Sequence, residues 1–453
     1  MSATKAEGAE VCARLLDLAC RAGAETADAM AVQGESLSVD VRGGRLEQAE
    51  RSEGVDVGLR VLIGRRQASV SASDARPETL AALAERAVAM ARAAPEDPWC
   101  GLADPADLAP EADRDAASLR LEDPAEPPAP AALEAAALAA EAAALAVKGV
   151  TQAEGAGASW GRRRVDLATS TGFSGGYART STSLQVSAIA GEGLGMERDW
   201  RAESRRFAAE LPPADLIGRE AGERAVARLG PRRCPTGPVP VVFDERVAAS
   251  LVGHLVGAAN GASVARGSSW LKDRMGDRVL PAGMDLWDEP RRRSGAASRP
   301  FDAEGLATRP LALVRDGVLE SWVLDLAAAR QLGLRSTASA QRSVGGVPGP
   351  GTTNLRLTQG TRSKAELLAE MGTGLLVTSM LGASINPTTG DYSRGASGFW
   401  IEGGQVAHPV NEITIAGNLL RMLTDLTPAN DADETRAAIV PSLRVEGLTV
   451  AGG

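Results

Sequence analysis

Two histidines occur in 453 residues, His254 and His408, and that scarcity limits the chemistry open to the chain. Imidazole is the usual general base near neutral pH and the commonest zinc ligand. His254 sits in Val247-Ala-Ala-Ser-Leu-Val-Gly-His-Leu-Val-Gly, where helical spacing puts it on one face with Val247, Ser250, Leu251 and Ala258. Such a face predicts a core histidine hydrogen-bonded to a neighbour. A catalytic zinc takes three protein ligands and a water, and this helix offers no second His, Cys or carboxylate near His254. His408 precedes Pro409 at an expected strand or turn edge and belongs to no motif. The four cysteines (Cys12, Cys20, Cys100 and Cys234) have no Cys-x-x-Cys spacing, so neither a zinc ribbon nor a disulfide framework is expected. Cys12 and Cys20 fit apolar positions of a first helix.

Three glycine-rich stretches could in principle do chemistry. Gly172-Phe-Ser-Gly-Gly matches the Gly-x-Ser-x-Gly of a nucleophile elbow, which requires a buried strand before it and a helix after it. Here polar alternation precedes Ser174 and a strand-like run follows, which predicts a hairpin turn. Gly349-Pro-Gly-Thr-Thr-Asn lacks the Gly-Lys-Ser/Thr that cradles phosphates, and Gly191-Glu-Gly-Leu-Gly lacks the dinucleotide spacing. Neither nucleotide nor NAD is supported.

The elements that must position any site come from a chain about three times the common domain size of roughly 150 residues, so two domains are expected. An apolar fraction of 44% with 24% charged residues is that of a soluble globular protein, and 3% aromatics means cores of Ala, Val and Leu. The net charge of −9 argues against nucleic-acid and polybasic membrane binding. Only Lys5, Lys148, Lys272 and Lys364 among the 49 basic residues are lysines, which reads as coding composition. No basic region followed by an apolar run opens the chain, and no stretch approaches the ~20 apolar residues of a membrane span. A cytoplasmic location is expected.

Periodicity predicts a helix at 8–22, antiparallel strands containing Leu37 to Val41, Val55 to Ile63 and Ala68 to Ser71, and a helix at 77–93. After a Pro- and Asp-rich connection at 94–129, a helix at about 131–148, strands across 158–208 and a helix at 213–228 repeat the order. The closing helices share Glu-Arg-Ala-Val-Ala at 85–89 and 223–227, consistent with an internal duplication. Pro and Gly at 230–238 place a boundary after 229, giving domains 1–229 and 230–453. Beyond it come a strand at 239–243, a helix at 245–258 capped by Asp244, a loop at 344–353 and a helix at 363–371. Strand-like runs recur at 311–314, 318–323, 374–380, 398–401 and 411–416. The fold class is α+β, with helices on antiparallel strands followed by a β-rich domain.

Three stretches carry a resemblance. They are Gly253-His-Leu-Val-Gly with Gly261-Ala-Ser-Val-Ala-Arg-Gly-Ser-Ser-Trp-Leu-Lys-Asp; Ile385-Asn-Pro-Thr-Thr-Gly-Asp-Tyr-Ser-Arg-Gly-Ala-Ser-Gly-Phe-Trp-Ile-Glu-Gly-Gly; and Pro409-Val-Asn-Glu-Ile-Thr-Ile-Ala-Gly-Asn-Leu. With the N-terminal strands they make the chain resemble the TldD/PmbA peptidase family over essentially its whole length, on the PmbA (TldE) branch. In the TldD branch this helix carries His-Glu-x-x-x-His, two zinc ligands and a water-activating Glu, with a later Cys as a further ligand. Setting His254 at the second His places Ala249 at the first and Ser250 at the Glu, and no Cys follows Cys234. The resemblance therefore implies no catalytic residue and no metal in this chain, with zinc in a TldD-type partner. It implies a heteromeric peptidase for small or unfolded peptides, in which this chain completes the chamber and holds extended substrate by β-augmentation. His254, Arg266, Lys272, Asp391, Tyr392 and Arg394 are the candidates for substrate or partner binding. The alternatives are a self-sufficient metallopeptidase with an unrecognised site, a homodimeric peptide-binding protein without catalysis, and a Ser174 hydrolase.

Overall fold

A computed structural model describes residues 3–452. Helix α1 (Ala3–Ala22) leads into strands β1 (Thr26–Arg42), β2 (Arg45–Ile63) and β3 (Arg66–Ala72) and helix α2 (Pro77–Ala93). The order then repeats as α3 (Pro130–Leu145), β4 (Val150–Thr169), β5 (Ser174–Ala190), β6 (Glu197–Arg205) and α4 (Ala214–Ala227). The six strands make one antiparallel sheet in the order β3-β2-β1-β4-β5-β6, joined at its centre by β1 against β4. Helix, three strands, helix thus occurs twice in one sheet.

Strand periodicity decides the layers, because alternate side chains point to opposite faces. Ala27, Ala29 and Ala31 of β1 pack with Cys12 and Leu15 of α1 and Leu80 and Leu83 of α2. Val39 and Val41 continue on the same face, under Leu133 of α3 and Ile217 of α4. The β1–β2 turn is two glycines at positive φ, Gly43 (+61°) and Gly44 (+71°), the conformation a two-residue hairpin requires. Both of their N–H groups donate to the buried carboxylate of Glu141 on α3, at 2.7 Å each. The hairpin is thereby tied to the second repeat.

The face without helices carries Met30, Val32, Leu167 and Tyr177, and it packs on the C-terminal half through Phe301. Phe301 meets Phe173 and Tyr177 edge-on, at centroid distances of 4.9 and 5.4 Å. The loop at 344–353 lies against this sheet: a Cβ on Gly58 of β2 would stand 1.8 Å from the Val344 carbonyl oxygen, so that position admits no side chain. Asp28 is buried between Arg60 of β2 and Arg342 from the C-terminal half.

The C-terminal half contains β7 (Gly237–Phe243), α5 (Glu245–Ala258), α6 (Gly261–Ala265), β8 (Leu286–Asp288), β9 (Leu311–Arg315), β10 (Val318–Leu319), α7 (Leu326–Leu332) and β11 (Leu355–Leu357). It continues with α8 (Lys364–Met371), β12 (Gly374–Ile385), β13 (Asp391–Glu402), β14 (Gln405–Asn418), α9 (Leu419–Thr424), β15 (Ala438–Ile439) and β16 (Leu443–Gly452). Strands β14-β13-β12-β7-β16 pair in that order, and β14 also pairs with β16, closing a ring that has no free edge among these five strands. A second sheet runs β10-β9-β8-β11-β15. Asp244 caps α5 by accepting from the Arg246 N–H, and Ser363 with Glu366 forms a capping box on α8. The run at 318–323 is strand only over 318–319. Trp322, Val323 and Leu324 are apolar because they fill the core, and Val323 is paired only through a bridge to Asn260. None of the described helices is long and apolar enough to cross a membrane.

Two buried carboxyls beside α7 make stability depend on pH. Burial pushes both Asp302 and Glu304 above the ordinary carboxylate range, and for Glu304 the charge of Asp302 adds to it. The folded state therefore keeps a proton that the unfolded chain releases above about pH 4.3, so this carboxyl lowers stability as pH rises, by at most about 1.4 kcal/mol per pH unit. Glu304→Gln retains an acceptor for the Leu326 N–H (2.9 Å). The variant is expected to match the wild type near pH 4 and to exceed it as pH rises above the unfolded value of about 4.3, in urea melts. Parallel pH profiles for the two proteins would refute this.

Candidate functional site

Helix α5 forms where the sequence predicts, and it lies along a cleft of about 1160 Å³. The N-terminal half supplies Asp40 and Arg42 of the β1–β2 hairpin, Met196, and Trp200 of β6. The C-terminal half supplies Val247 and Ser250 of α5, Met380 and Leu381 of β12, and Arg394 of β13. Met196, Trp200 and Leu381 are large apolar side chains left exposed on this surface. An ion-pair cluster ties the two halves together: Asp199 of β6 meets Arg246 of α5 at 3.1 Å, and Arg228 at 3.6 Å. Arg228 in turn donates to the Ser397 hydroxyl at 2.8 Å.

Three of the six residues singled out from the sequence come together. The half-buried His254 ring stands edge-on to Tyr392, centroids 5.9 Å apart. Burial, and then the charge of Arg394, push the imidazole below its ordinary value and keep it neutral at pH 7. Burial pushes the Tyr392 hydroxyl up to about 12. Arg394 donates from Nε to the Gly382 carbonyl at 2.7 Å, fixing its guanidinium beside β12. The other three stand apart. Arg266 and Lys272 are exposed after α5. Asp391 is exposed and accepts from Thr389 Oγ1 at 2.7 Å and Asn418 Nδ2 at 3.3 Å, bonds that hold its carboxyl below the usual range. His408 lies within β14, opposite Trp400 of β13, away from any motif. Ser174 opens β5 after the turn that contains Gly172, as a hairpin requires.

The donor set on α5 does not fit zinc. Ala249 has no donor atom, and the Ser250 hydroxyl donates back to the Val247 carbonyl at 2.7 Å. Among the described residues no three His, Cys, Asp or Glu side chains are grouped to hold a metal ion.

Sequence reasoning missed the cleft-lining residues of the N-terminal half and the Asp199, Arg228 and Arg246 cluster. Those residues come from separated segments with no shared spacing. The exposed side of α5 is smooth: added Cβ atoms at Gly253 and Gly257 would meet nothing within 4 Å. Gly253→Ala and Gly257→Ala are each expected to stabilise the isolated chain by about 0.5–1 kcal/mol, the usual helix-interior difference between Gly and Ala. Destabilisation in a denaturant melt would show that this face is already packed.

Comparison with known proteins agrees along the whole chain. Residues 27–91, 122–229 and 236–452 match the first, central and C-terminal domain models of the PmbA/TldA metallopeptidases. Metalloprotease PmbA of Escherichia coli O157:H7 is 37% identical over 417 residues, covering 91% of this chain and 90% of that protein. The Metalloprotease PmbA homolog of Haemophilus influenzae is 33% identical, covering 96% and 94%. A crystal structure from Bacteroides thetaiotaomicron superposes with a TM-score of 0.89 at 25% identity, covering 98% of each chain. TldE from Thermococcus kodakarensis shares the fold with a TM-score of 0.84 at 20% identity, covering 98% of this chain and 100% of that one. With its helix-and-sheet half, its β-rich half and matches over nearly its full length, this chain belongs to the PmbA/TldD metallopeptidase family, in the PmbA (TldE) branch.

Proposed function

We propose that this chain is the non-metal-binding subunit of a heteromeric TldD/TldE zinc peptidase that cleaves small or unfolded peptides. The observation that carries the reading is the α5 helix. It borders the cleft through Val247 and Ser250, yet it offers a lone neutral His254 where two histidines and a glutamate would be needed. The reading divides the chain after 229, so that the first half roofs the cleft and the second presents α5. Exposed Met196, Trp200 and Leu381 are apolar anchors suited to an extended peptide or to a partner, and the open Gly253 and Gly257 side of α5 lets another backbone approach closely. A cytoplasmic location belongs to the same proposal.

The test is the zinc content and peptidase activity of the purified chain, with and without a TldD-type subunit. No stoichiometric zinc and no turnover alone, with turnover restored by the partner, is the expected result. One bound zinc with cleavage by the chain alone would overturn it in favour of a self-sufficient peptidase. Peptide binding without turnover under every condition would favour a homodimeric binding protein.

A further inference from the structure

A second cavity, of about 310 Å³, lies where the helix-free face of the N-terminal sheet meets the C-terminal half, and it shares no lining residue with the cleft. Its composition is unusual. Arg163 of β4 and Arg179 of β5 stand directly opposite each other in register, next to the Val165 and Tyr177 pair on the same face. Like charges directly opposed across a sheet are destabilising, and neither arginine makes an ion pair among the described residues.

Arg299 and Arg342 line the same cavity from the C-terminal half. Arg299 is 8% exposed and gives Nη1 to the Ala340 carbonyl at 2.7 Å, while its Nε has no hydrogen-bond partner among the described residues. The Arg342 side chain is 1% exposed and meets Asp28 through Nη1, and both its Nε and its Nη2 are buried without hydrogen-bond partners among the described residues. Buried donors are normally paired, and leaving them unpaired is costly. The single carboxylate in the lining, Asp302, is already occupied by the N–H groups of Glu304, Leu306 and Ala340 at 2.9–3.1 Å. Met30, Leu167, Tyr177 and Phe301 make up the apolar part of the wall.

We propose that this interdomain cavity is a binding site for a small organic oxyanion, a carboxylate or a phosphate monoester with a short apolar body. The oxyanion would relieve the opposed Arg163 and Arg179 charges and take the unpaired donors of Arg299 and Arg342. Guanidinium forks suit planar or tetrahedral oxyanions, and the apolar wall admits a few carbon atoms. Bound across the joint, the ligand would hold the two halves together.

Calorimetric titration of the full chain, at constant ionic strength in chloride, tests this with inorganic phosphate and with benzoate as probes. Saturable binding of at least one probe, in the millimolar range or tighter, is expected. Phosphate alone saturating would assign a phosphate ligand, and benzoate alone a carboxylate. The double variant Arg163→Gln/Arg179→Gln is expected to bind at least tenfold more weakly. Arg163 is exposed, so Arg163→Gln by itself, expected to weaken binding at least threefold, keeps the test open should the double variant misfold. Saturation by neither probe, or undiminished binding by the variants, would overturn the proposal. Zinc content and peptidase activity do not enter the measurement.

Discussion

Asp28→Ala is expected to cost about 3–5 kcal/mol of folding free energy, the loss associated with removing one partner of a buried ion pair. Asp28 is 1% exposed and accepts from Arg60 Nε at 2.7 Å, with Arg60 Nη2 at ion-pair distance (2.6 Å) and Arg342 on its other oxygen. Burial by itself would push the carboxyl up, but the charges of Arg342 and Arg60 outweigh it and hold the group below the usual carboxylate range. Alanine would leave two guanidinium groups buried without a counter-charge. A loss of this size is a large share of the roughly 5–15 kcal/mol that keeps a domain folded. It should appear as a lower urea midpoint at pH 7. Because the folded pKa lies below the unfolded value of about 3.9, the carboxylate's contribution is present above that value and is lost as pH falls through the folded pKa. The difference between wild type and variant should therefore shrink in acid. A loss below 1 kcal/mol at pH 7 would refute the argument. Replacing all three residues with apolar ones of similar volume should recover much of the stability, since buried ion pairs seldom outperform good packing.

The contrast between that triad and the helices shows what a sequence makes legible. Helix α2 begins at Pro77 and α5 follows Asp244, both as predicted, because Pro at a first turn and Asp at an N-cap act within three or four residues. The repeated order of helix, antiparallel strands and helix is legible for the same reason, since each element declares its own period. The triad joins positions 314 apart in the chain, and nothing local to Asp28 or Arg342 announces the other. Closure of β14 on β16 is equally silent, because a strand in a closed ring has the same alternation as one at an open edge. The site divides along this line. His254, Tyr392 and Arg394 were found because they sit in stretches the family resemblance singles out, and the fold then packs them together. Arg266 and Lys272 lie in such a stretch too, but the chain leaves α5 there and carries them to the surface. The cleft wall from β1, β2 and β6 depends on how the two halves dock, which no spacing encodes.

If the proposed heteromer is the active form, His254→Ala in this chain is expected to change its kcat/KM by less than about threefold, whereas removing the TldD-type subunit should abolish turnover. A neutral, half-buried imidazole at this position can take little part in the chemistry. Its proton affinity is lowered by burial and by Arg394, its ring packs against Tyr392, and its neighbours Ala249 and Ser250 supply neither a second ligand nor a base. A metal-activated water needs a metal to lower its pKa from 15.7 to about 7, and enzymes typically accelerate their reactions by ~10⁶-fold or more. Loss of the subunit proposed to carry the ligands should forfeit gains of that order, while loss of His254 should touch only packing along α5. Leu381→Asp, which puts a charge on an exposed apolar anchor of the cleft, should act differently again, raising KM or weakening subunit association with kcat little changed. Steady-state kinetics on a series of short unstructured peptides separates these outcomes. A His254→Ala loss of a hundredfold or more in kcat would place that imidazole in the chemistry and return the active centre to this chain.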